Sequence, residues 1–242
     1  MVHTLPDYTT KYKMATVFGN IDSGELAARL GSINTFDRRG DTIWMEDFNS
    51  PVLTWSQSEI GAGSAVVLTA DEKFRGSQSV SLTAGPAARR YGMIKHGINP
   101  LRIGKLGLEI SVRPSPFDSY IQISIDIDDA INHYVSILRY DTTDGTIDIW
   151  DGDPDWTSVP GAHRISPLFH SFSPFKFVID TSTGKYVRAM LGRTQWDLSS
   201  YSMQSTALGP YQTCLIVIYN EAQGAAAATA YVDGVIVTQN EP

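Results

Sequence analysis

Apolar and polar positions alternate in short runs from Ile43 to the end of the chain. The runs are rich in Val, Ile, Thr and aromatic residues, and no long helical pattern separates them. A dozen such runs are typical of an antiparallel sandwich or barrel. We therefore predict an all-β domain, an antiparallel sandwich or barrel, over residues 43–242. The predicted strands cover residues 43–48, 64–70, 78–84, 91–96, 106–113, 120–128, 133–140, 146–151, 175–180, 186–191, 213–220 and 228–238.

The run at residues 120–128 shows the alternation most clearly. Every second residue is isoleucine and the residues between them are polar, which predicts one face in the core and one face in water. Segments 142–145 and 181–184 each end in glycine between two predicted strands, so they predict two hairpin turns. The alternating residues are Ile121, Ile123, Ile125 and Ile127 on one side, and Gln122, Ser124, Asp126 and Asp128 on the other.

Residues 1–42 have a different character and form a predicted N-terminal arm. One short helix is predicted there, with Ser23 as its N-cap, Leu26 and Leu30 on its apolar side and Gly31 at its end. A helix of this length is not stable alone. We therefore expect an extended arm that docks on its own domain or on a neighbouring subunit.

Composition excludes several classes of protein. The chain has 242 residues, 42% of them hydrophobic and 19% charged, which fits a folded domain and not a disordered one. No apolar run approaches the roughly 20 residues that span a bilayer, and the start lacks the apolar stretch of a secretory signal. Cys214, the one cysteine, excludes an intrachain disulfide and a multi-cysteine zinc site. Its apolar surroundings predict a buried side chain.

Negative charge is concentrated in one part of the chain. The net charge is −7, which argues against nucleic-acid binding because phosphates need a basic surface. From Asp118 to Asp155 there are ten aspartates, no glutamate and one basic residue, Arg139. Ten negative charges and one positive charge give this stretch a net charge of −9, which is more negative than the −7 of the whole chain. We expect an acidic surface, available to cations or sugars.

Three segments resemble the concanavalin A-like lectin/glucanase class and the related carbohydrate-binding modules. They are residues 44–48 followed by Trp55, residues 74–82, and residues 230–237. The resemblance implies a two-sheet antiparallel sandwich of the jelly-roll type, with the last strand beside the first. It leaves the function open, since this fold hosts binding, catalytic and structural proteins.

The arm is not part of those modules. In organisation, a cysteine-poor sandwich with an N-terminal docking arm is similar to phage virion components, such as capsid decoration or tail-associated proteins. We expect a non-enzymatic structural protein anchored by residues 1–42 in a larger assembly, as a homo-oligomer such as a trimer. The expected location is the virion after synthesis in the host cytoplasm, with an extracellular location as the alternative. No nucleic-acid or membrane partner is expected.

The segment around residues 150–156 holds two candidate sites. Exposed aromatic rings stack on sugars, and neighbouring acids accept hydroxyl groups. Trp150 and Trp156 with Asp153 and Asp155 therefore form a candidate glycan site, and we expect Trp156 to be exposed. This supports a carbohydrate-binding module as the alternative function. Asp151, Asp153 and Asp155 could also converge on Ca²⁺, although a plain turn is the favoured interpretation.

A less favoured alternative is a glycoside hydrolase. Glycoside hydrolysis needs two carboxyl groups, and the glucanase branch of the resembled class carries them on one strand as Glu-x-Asp-x-Glu. Here the corresponding strand has Ser124, Asp126 and Asp128 and no Glu. Asp126 and Asp128 could still act as an unconventional catalytic pair. The favoured interpretation is that they belong to a solvated acidic face, so we assign no catalytic residue.

The resemblance also implies a structural calcium site. In such modules an acid near the first strand often shares Ca²⁺ with an acid on the last strand. In this sequence those acids would be Glu46 or Asp47 with Asp233, and the alternative is that they are plain edge-strand acids. Structural calcium is the only cofactor expected.

Overall fold

The protein is an all-β sandwich in a computed structural model that describes residues 37, 39–98, 104–115, 118–129, 131–153, 155–161, 165, 171–207 and 212–242. Within these residues there are sixteen strands and no helix. The strands are β1 (Asp41–Glu46), β2 (Ser56–Ile60), β3 (Ala65–Thr69), β4 (Ser79–Ala84), β5 (Tyr91–Ile98), β6 (Lys105–Arg113), β7 (Ser119–Asp129), β8 (Asn132–Asp141), β9 (Ile147–Trp150), β10 (Trp156–Val159), β11 (Ser173–Asp180), β12 (Lys185–Leu191), β13 (Thr194–Asp197), β14 (Gln204–Ala207), β15 (Gln212–Ala222) and β16 (Ala228–Gln239). No helix in this part of the chain is long and apolar enough to cross a membrane.

The strands form two antiparallel sheets. Sheet A has the order β13-β12-β11-β6-β16-β4-β3, and β1 pairs with the second half of β16. Sheet B has the order β10-β9-β8-β7-β15-β5-β2, and β14 pairs with β8. The last strand lies beside the first, as the resemblance implied. The predicted two-sheet sandwich is confirmed.

The core lies between the two sheets and follows from the alternation on β7. Ile121, Ile123 and Ile125 are at most 1% exposed and pack against residues of both sheets. Burying such a side chain stabilises the fold by about 1.5–3 kcal/mol. The two predicted hairpins are also confirmed, because β8–β9 and β11–β12 pair around turns in which Gly145 and Gly184 have positive φ angles of 71° and 68°.

All twelve predicted strands are present, and four further strands were missed. β2, β10 and β13 are edge strands, and β14 pairs only with part of β8. They are short and mostly polar, since an edge strand needs little apolar surface and gives only a weak period-two pattern. The missed strands extend both sheets without changing the architecture.

The predicted helix near Ser23 lies outside the described residues, as do residues 1–36 and 38. β1 begins at Asp41, so strand pairing with β16 starts just before the predicted boundary at residue 43. Cys214 is buried in β15, as predicted. Burial raises the pKa of its thiol to about 12.

An ionic clasp fastens the segment before β1 to the outer face of sheet A. We use this name for Asp37, Lys176, Arg188 and Glu241. Asp37 Oδ2 lies 3.1 Å from Lys176 Nζ and 3.4 Å from Arg188 Nη2, and both cations also pair with Glu241. All four residues are less than 9% exposed. Charges buried to this degree are stable only when paired, so the clasp fixes the chain ahead of β1.

The clasp predicts a pH dependence of stability. Burial favours a raised pKa for Asp37, but the hydrogen bond from Arg39 and the charge of Lys176 outweigh it and lower the pKa to about 2. The ionised form therefore stabilises the fold above the unfolded pKa of 3.8, and this contribution is lost as the pH falls towards 2. We expect Asp37→Asn to lower the free energy of unfolding at pH 7 by about 2 kcal/mol.

Urea unfolding at several pH values measures this effect. The difference between the wild type and Asp37→Asn should shrink between pH 4 and pH 2. The exposed Asp71 provides a matched control, because Asp71→Asn should leave the wild-type profile unchanged. A difference that is the same at pH 2 and pH 7 would show that the charge of Asp37 does not stabilise the fold.

Candidate functional site

Polar and aromatic side chains cover the outer surface of sheet B, which we call the sheet B face. It is formed by the residues of β7, β8, β9, β10 and β15 that alternate with the core residues. The polar side of β7 was expected to lie in water, but Gln122 is 2% exposed and Ser124 is 5% exposed. Long side chains from the neighbouring strands cover them, so this face is packed as well as polar.

The two tryptophans predicted to bind sugar meet at one end of this face. Trp150 on β9 pairs with Trp156 on β10, and their ring centroids lie 5.2 Å apart at an interplanar angle of 71°. Trp150 Nε1 donates to Gln204 Oε1 at 2.7 Å. Both rings are half-buried, whereas Trp156 was expected to be exposed. The reason is that Trp156 begins a paired strand and does not lie in a turn.

Arg139 connects the tryptophan pair to the middle of the face. Its guanidinium carbon lies 3.9 Å from the ring centroid of Trp156 and 4.2 Å from that of Tyr120. Arg139 Nε is 2.7 Å from Asp148 Oδ2, and Ser158 Oγ donates to the other Asp148 oxygen at 2.6 Å. Asp148 is only 4% exposed. The single basic residue of the acidic stretch is therefore neutralised by a buried partner.

Hydrogen bonds between side chains link β7 to β15 in the middle of the face. The Tyr219 hydroxyl donates to Gln122 Oε1, and Gln122 Nε2 donates to Glu221 Oε2 at 3.3 Å. Burial raises the pKa of both Tyr219 and Glu221 above their ordinary values. Gln122 of β7 is thus joined by hydrogen bonds to two side chains of β15.

Asp128 of β7 contacts a histidine of β8 at the other end of the face. His133 Nδ1 lies 2.6 Å from Asp128 Oδ1, and the Thr213 hydroxyl donates to Asp128 Oδ2. Partial burial raises the pKa of Asp128, but the hydrogen bonds from Thr213 and His133 outweigh it and lower the pKa below its ordinary value. The structure therefore gives His133 a hydrogen-bonded position and keeps Asp128 ionised.

Asp126 has the opposite environment. Burial raises its pKa to about 6, and the charge of Asp128 adds to this effect, against the charge of His133 and a hydrogen bond from Ser124. Its Oδ1 atom is buried without a hydrogen-bond partner in the described part of the chain. Two carboxyl groups on one strand thus have pKa values that are shifted apart, an arrangement that suits proton transfer.

The Asp151–Asp155 turn does not bring its acids together around a metal. Asp153 and Asp155 are exposed, and Asp155 Oδ1 accepts a hydrogen bond from the Trp156 backbone at 2.7 Å. Asp151 Oδ1 accepts one from the Gly152 backbone at 2.5 Å. Within the described residues, no three His, Cys, Asp or Glu side chains are grouped to hold a metal ion.

The acids near the first and last strands are occupied by local hydrogen bonds. Glu46 Oε1 accepts from the Phe48 backbone at 2.9 Å, and Asp47 Oδ1 accepts from the Asn49 backbone at 3.0 Å. Asp233 Oδ2 accepts from two backbone N–H groups of the loop before β4, at 2.7 and 2.8 Å. Burial raises the pKa of Asp233. The structural calcium stays a prediction from the sequence.

Sequence reasoning missed part of this site. Tyr120, Tyr219 and Gln204 were not singled out, because each residue alone is an ordinary strand residue and their proximity depends on the pairing of strands. One signal was available for Arg139, since an isolated basic residue among ten aspartates must have acidic neighbours.

Comparison with solved structures places the chain in the jelly-roll fold. A protein of unknown function with a galectin-like fold from Bacillus subtilis is 12% identical, with a TM-score of 0.54 over 84% of this chain and 97% of that chain. An endo-β-1,4-glucuronan lyase from Trichoderma reesei is 10% identical, with a TM-score of 0.54 over 83% and 96% of the two chains. A sialidase is 12% identical, with a TM-score of 0.51, and this chain spans 19% of its length. No protein-family model matches the sequence, and no curated protein matches it significantly.

These comparisons confirm the resemblance to the concanavalin A-like class as a likeness of fold. They also correct one expectation. The chain was expected not to be an enzyme, but the glucuronan lyase shares its fold over nearly the whole of both chains. The fold therefore gives no ground for excluding catalysis, and the exclusion is wrong.

The environment of Asp126 predicts a measurable titration. Its folded pKa of about 6 lies above the ordinary value of 3.8, so the folded state binds the proton more tightly than the unfolded state. The free energy of unfolding should therefore fall as the pH rises from about 4 to about 6. Asp126→Asn should make this slope shallower in urea unfolding, and Asp153→Asn in the exposed turn should keep it. Equal slopes in the wild type and Asp126→Asn would contradict a raised pKa.

Proposed function

We propose that this protein binds a glycan on the sheet B face, at the end formed by Trp150 and Trp156. The observation that carries this proposal is the pairing of two half-buried indole rings at 71° on a sheet surface rich in hydrogen-bonding groups. Aromatic rings contact the C–H faces of sugars, and neighbouring amide and carboxylate groups accept hydroxyl hydrogen bonds. Gln204 beside Trp150 and Asp155 beside Trp156 supply such groups.

The charge of this end favours uncharged or amino sugars. Arg139 is already paired with Asp148, and the exposed acids Asp153 and Asp155 follow Trp150 in the chain. Among the described residues of this end, Arg139 is the one cation next to the tryptophans, so a sugar carboxylate would meet mainly these negative charges. We therefore expect uronic-acid polymers to bind least well.

The finer prediction of a virion component stays a prediction. It concerns an arm, residues 1–42, of which only Asp37 and residues 39–42 are described. The ionic clasp fixes Asp37 to the outer face of sheet A, on the side opposite the sheet B face. A chain held by its arm on that side would present the sheet B face outward, and this arrangement is compatible with glycan binding. The homo-oligomer, the trimer, the virion location and the extracellular alternative likewise stay predictions.

Removing one indole ring tests the glycan proposal. A glycan array with neutral, amino and uronic oligosaccharides identifies the ligand, and calorimetry then gives its affinity. We expect Trp156→Ala to reduce that affinity at least tenfold, because the stacking surface is lost. Phe74→Ala is the matched control, since Phe74 is 47% exposed and lies outside the sheet B face. The proposal would be contradicted if the wild type bound no glycan on the array, or if Trp156→Ala kept the full affinity.

A second candidate function is cleavage of the bound glycan. The observation that favours it is the pair of β7 carboxyl groups with separated pKa values beside His133. In hydrolysis, protonated Asp126 would donate its proton to the leaving glycosidic oxygen as the carbon–oxygen bond breaks. His133, held by Asp128, would take a proton from the water whose oxygen joins the anomeric carbon. Bonds and protons balance without a further reactant.

This second candidate predicts a loss of turnover in Asp126→Asn. A neutral amide cannot donate the proton, so release of reducing ends from the bound glycan should fall at least a hundredfold. His133→Gln should lower turnover also, and Asp71→Asn, at an exposed position in the turn between β3 and β4, should leave it unchanged. Wild-type activity should decline above about pH 6 as Asp126 ionises. Undiminished turnover in Asp126→Asn would exclude this role.

A further inference from the structure

Arg139 occupies the space between two aromatic rings of the sheet B face. Its guanidinium carbon is about 4 Å from the ring centroids of both Tyr120 and Trp156, so those centroids lie no more than about 8 Å apart. The guanidinium thus covers part of both rings, at a position where a stacked sugar would otherwise lie. It is therefore either a displaceable filler or a permanent part of the site.

Burial of the partner carboxylate decides between these two roles. Asp148 is 4% exposed and pairs with Arg139 Nε at 2.7 Å. Ser158 donates to the other oxygen of Asp148 but brings no positive charge. If Arg139 moved out to admit a sugar, Asp148 would stay buried as an uncompensated anion, which costs more than one ring stack returns. Arg139 therefore stays in place when a ligand binds.

We propose that Arg139 is a positioning residue for glycan binding: it fixes the orientation of the Trp156 ring from the side facing Tyr120. This inference rests on the proposed glycan-binding function. The planar guanidinium stacks flat on aromatic rings and keeps a fixed hydrogen bond to Asp148, which a flexible ammonium group does not reproduce. The glycan consequently contacts Trp156 on its remaining surface and does not enter between Trp156 and Tyr120.

The arrangement also explains why the one basic residue of the acidic stretch lies beside the tryptophans. Trp156 begins an edge strand of four residues, and the described residues of the turn ahead of it are joined by the backbone hydrogen bond from Asp151 N–H to the Asp155 carbonyl, at 3.1 Å. Without support, an indole on such a strand would adopt several rotamers in the free protein, and ligand binding would have to restrict it to one of them. A stacked guanidinium anchored on β8 removes this cost before the ligand arrives.

The test uses the full chain and the oligosaccharide that the array identifies. Arg139→Lys keeps a positive charge for Asp148 and loses the planar stack. We expect its affinity to fall at least tenfold at an unchanged melting temperature, with an altered near-ultraviolet circular dichroism signal from tryptophan. Arg193→Lys, in the turn between β12 and β13, is the matched control and should behave as the wild type.

A second variant tests the same role of Arg139 if Arg139→Lys does not fold. Tyr120→Leu removes the other ring and leaves the Arg139–Asp148 pair intact, so its affinity should also fall, at least threefold. Full affinity in a folded Arg139→Lys, or in Tyr120→Leu when Arg139→Lys is unfolded, overturns the inference. If Trp156→Ala loses binding while Arg139→Lys retains it, only this inference fails. If the wild type binds no glycan, the proposed function fails and the inference fails with it.

Discussion

The structure depends on the constraint that β7, a central strand of sheet B, is covered on both of its faces. Its isoleucines enter the core, and its polar residues lie under the side chains of β8 and β15. A polar group that loses contact with water must find a hydrogen-bond partner. The neighbouring strands therefore supply Tyr219, Thr213 and His133, and the sheet B face becomes an ordered network. Asp126, with its raised pKa, is the group that this network satisfies least.

The two outer faces of the sandwich use buried charge in different ways. On sheet A the ionic clasp joins residues that are distant in sequence, and all of its members are paired. On sheet B the charged groups at the two ends of the face are arranged differently. Arg139 and Asp148 form a closed pair beside the tryptophans, while Asp126 and Asp128 differ in proton affinity beside His133. One face is arranged for attachment of the chain, and the other has the features of a ligand surface.

The sequence was sufficient for the sandwich and insufficient for the site, for a physical reason. Strict alternation, as in residues 120–128, follows from burial of one side of a strand and can be detected locally. Short edge strands such as β10 lack that signal, so Trp156 was placed in an exposed turn. The stack of Tyr120, Arg139 and Trp156 joins three strands. Its members become neighbours only because β7, β8, β9 and β10 lie side by side in sheet B. A non-enzymatic protein was favoured partly because β7 lacks a glutamate, although the environment of an aspartate can supply the same proton affinity.

The central claim is that the sheet B face binds glycan through Trp150 and Trp156. Indole N–H resonances of ¹⁵N-labelled protein report on it directly during titration with the oligosaccharide selected by the array. We predict saturable shifts of the Trp150 and Trp156 resonances, while that of Trp55, which is 3% exposed in the core, stays in place. Binding that leaves Trp150 and Trp156 unshifted would contradict the account.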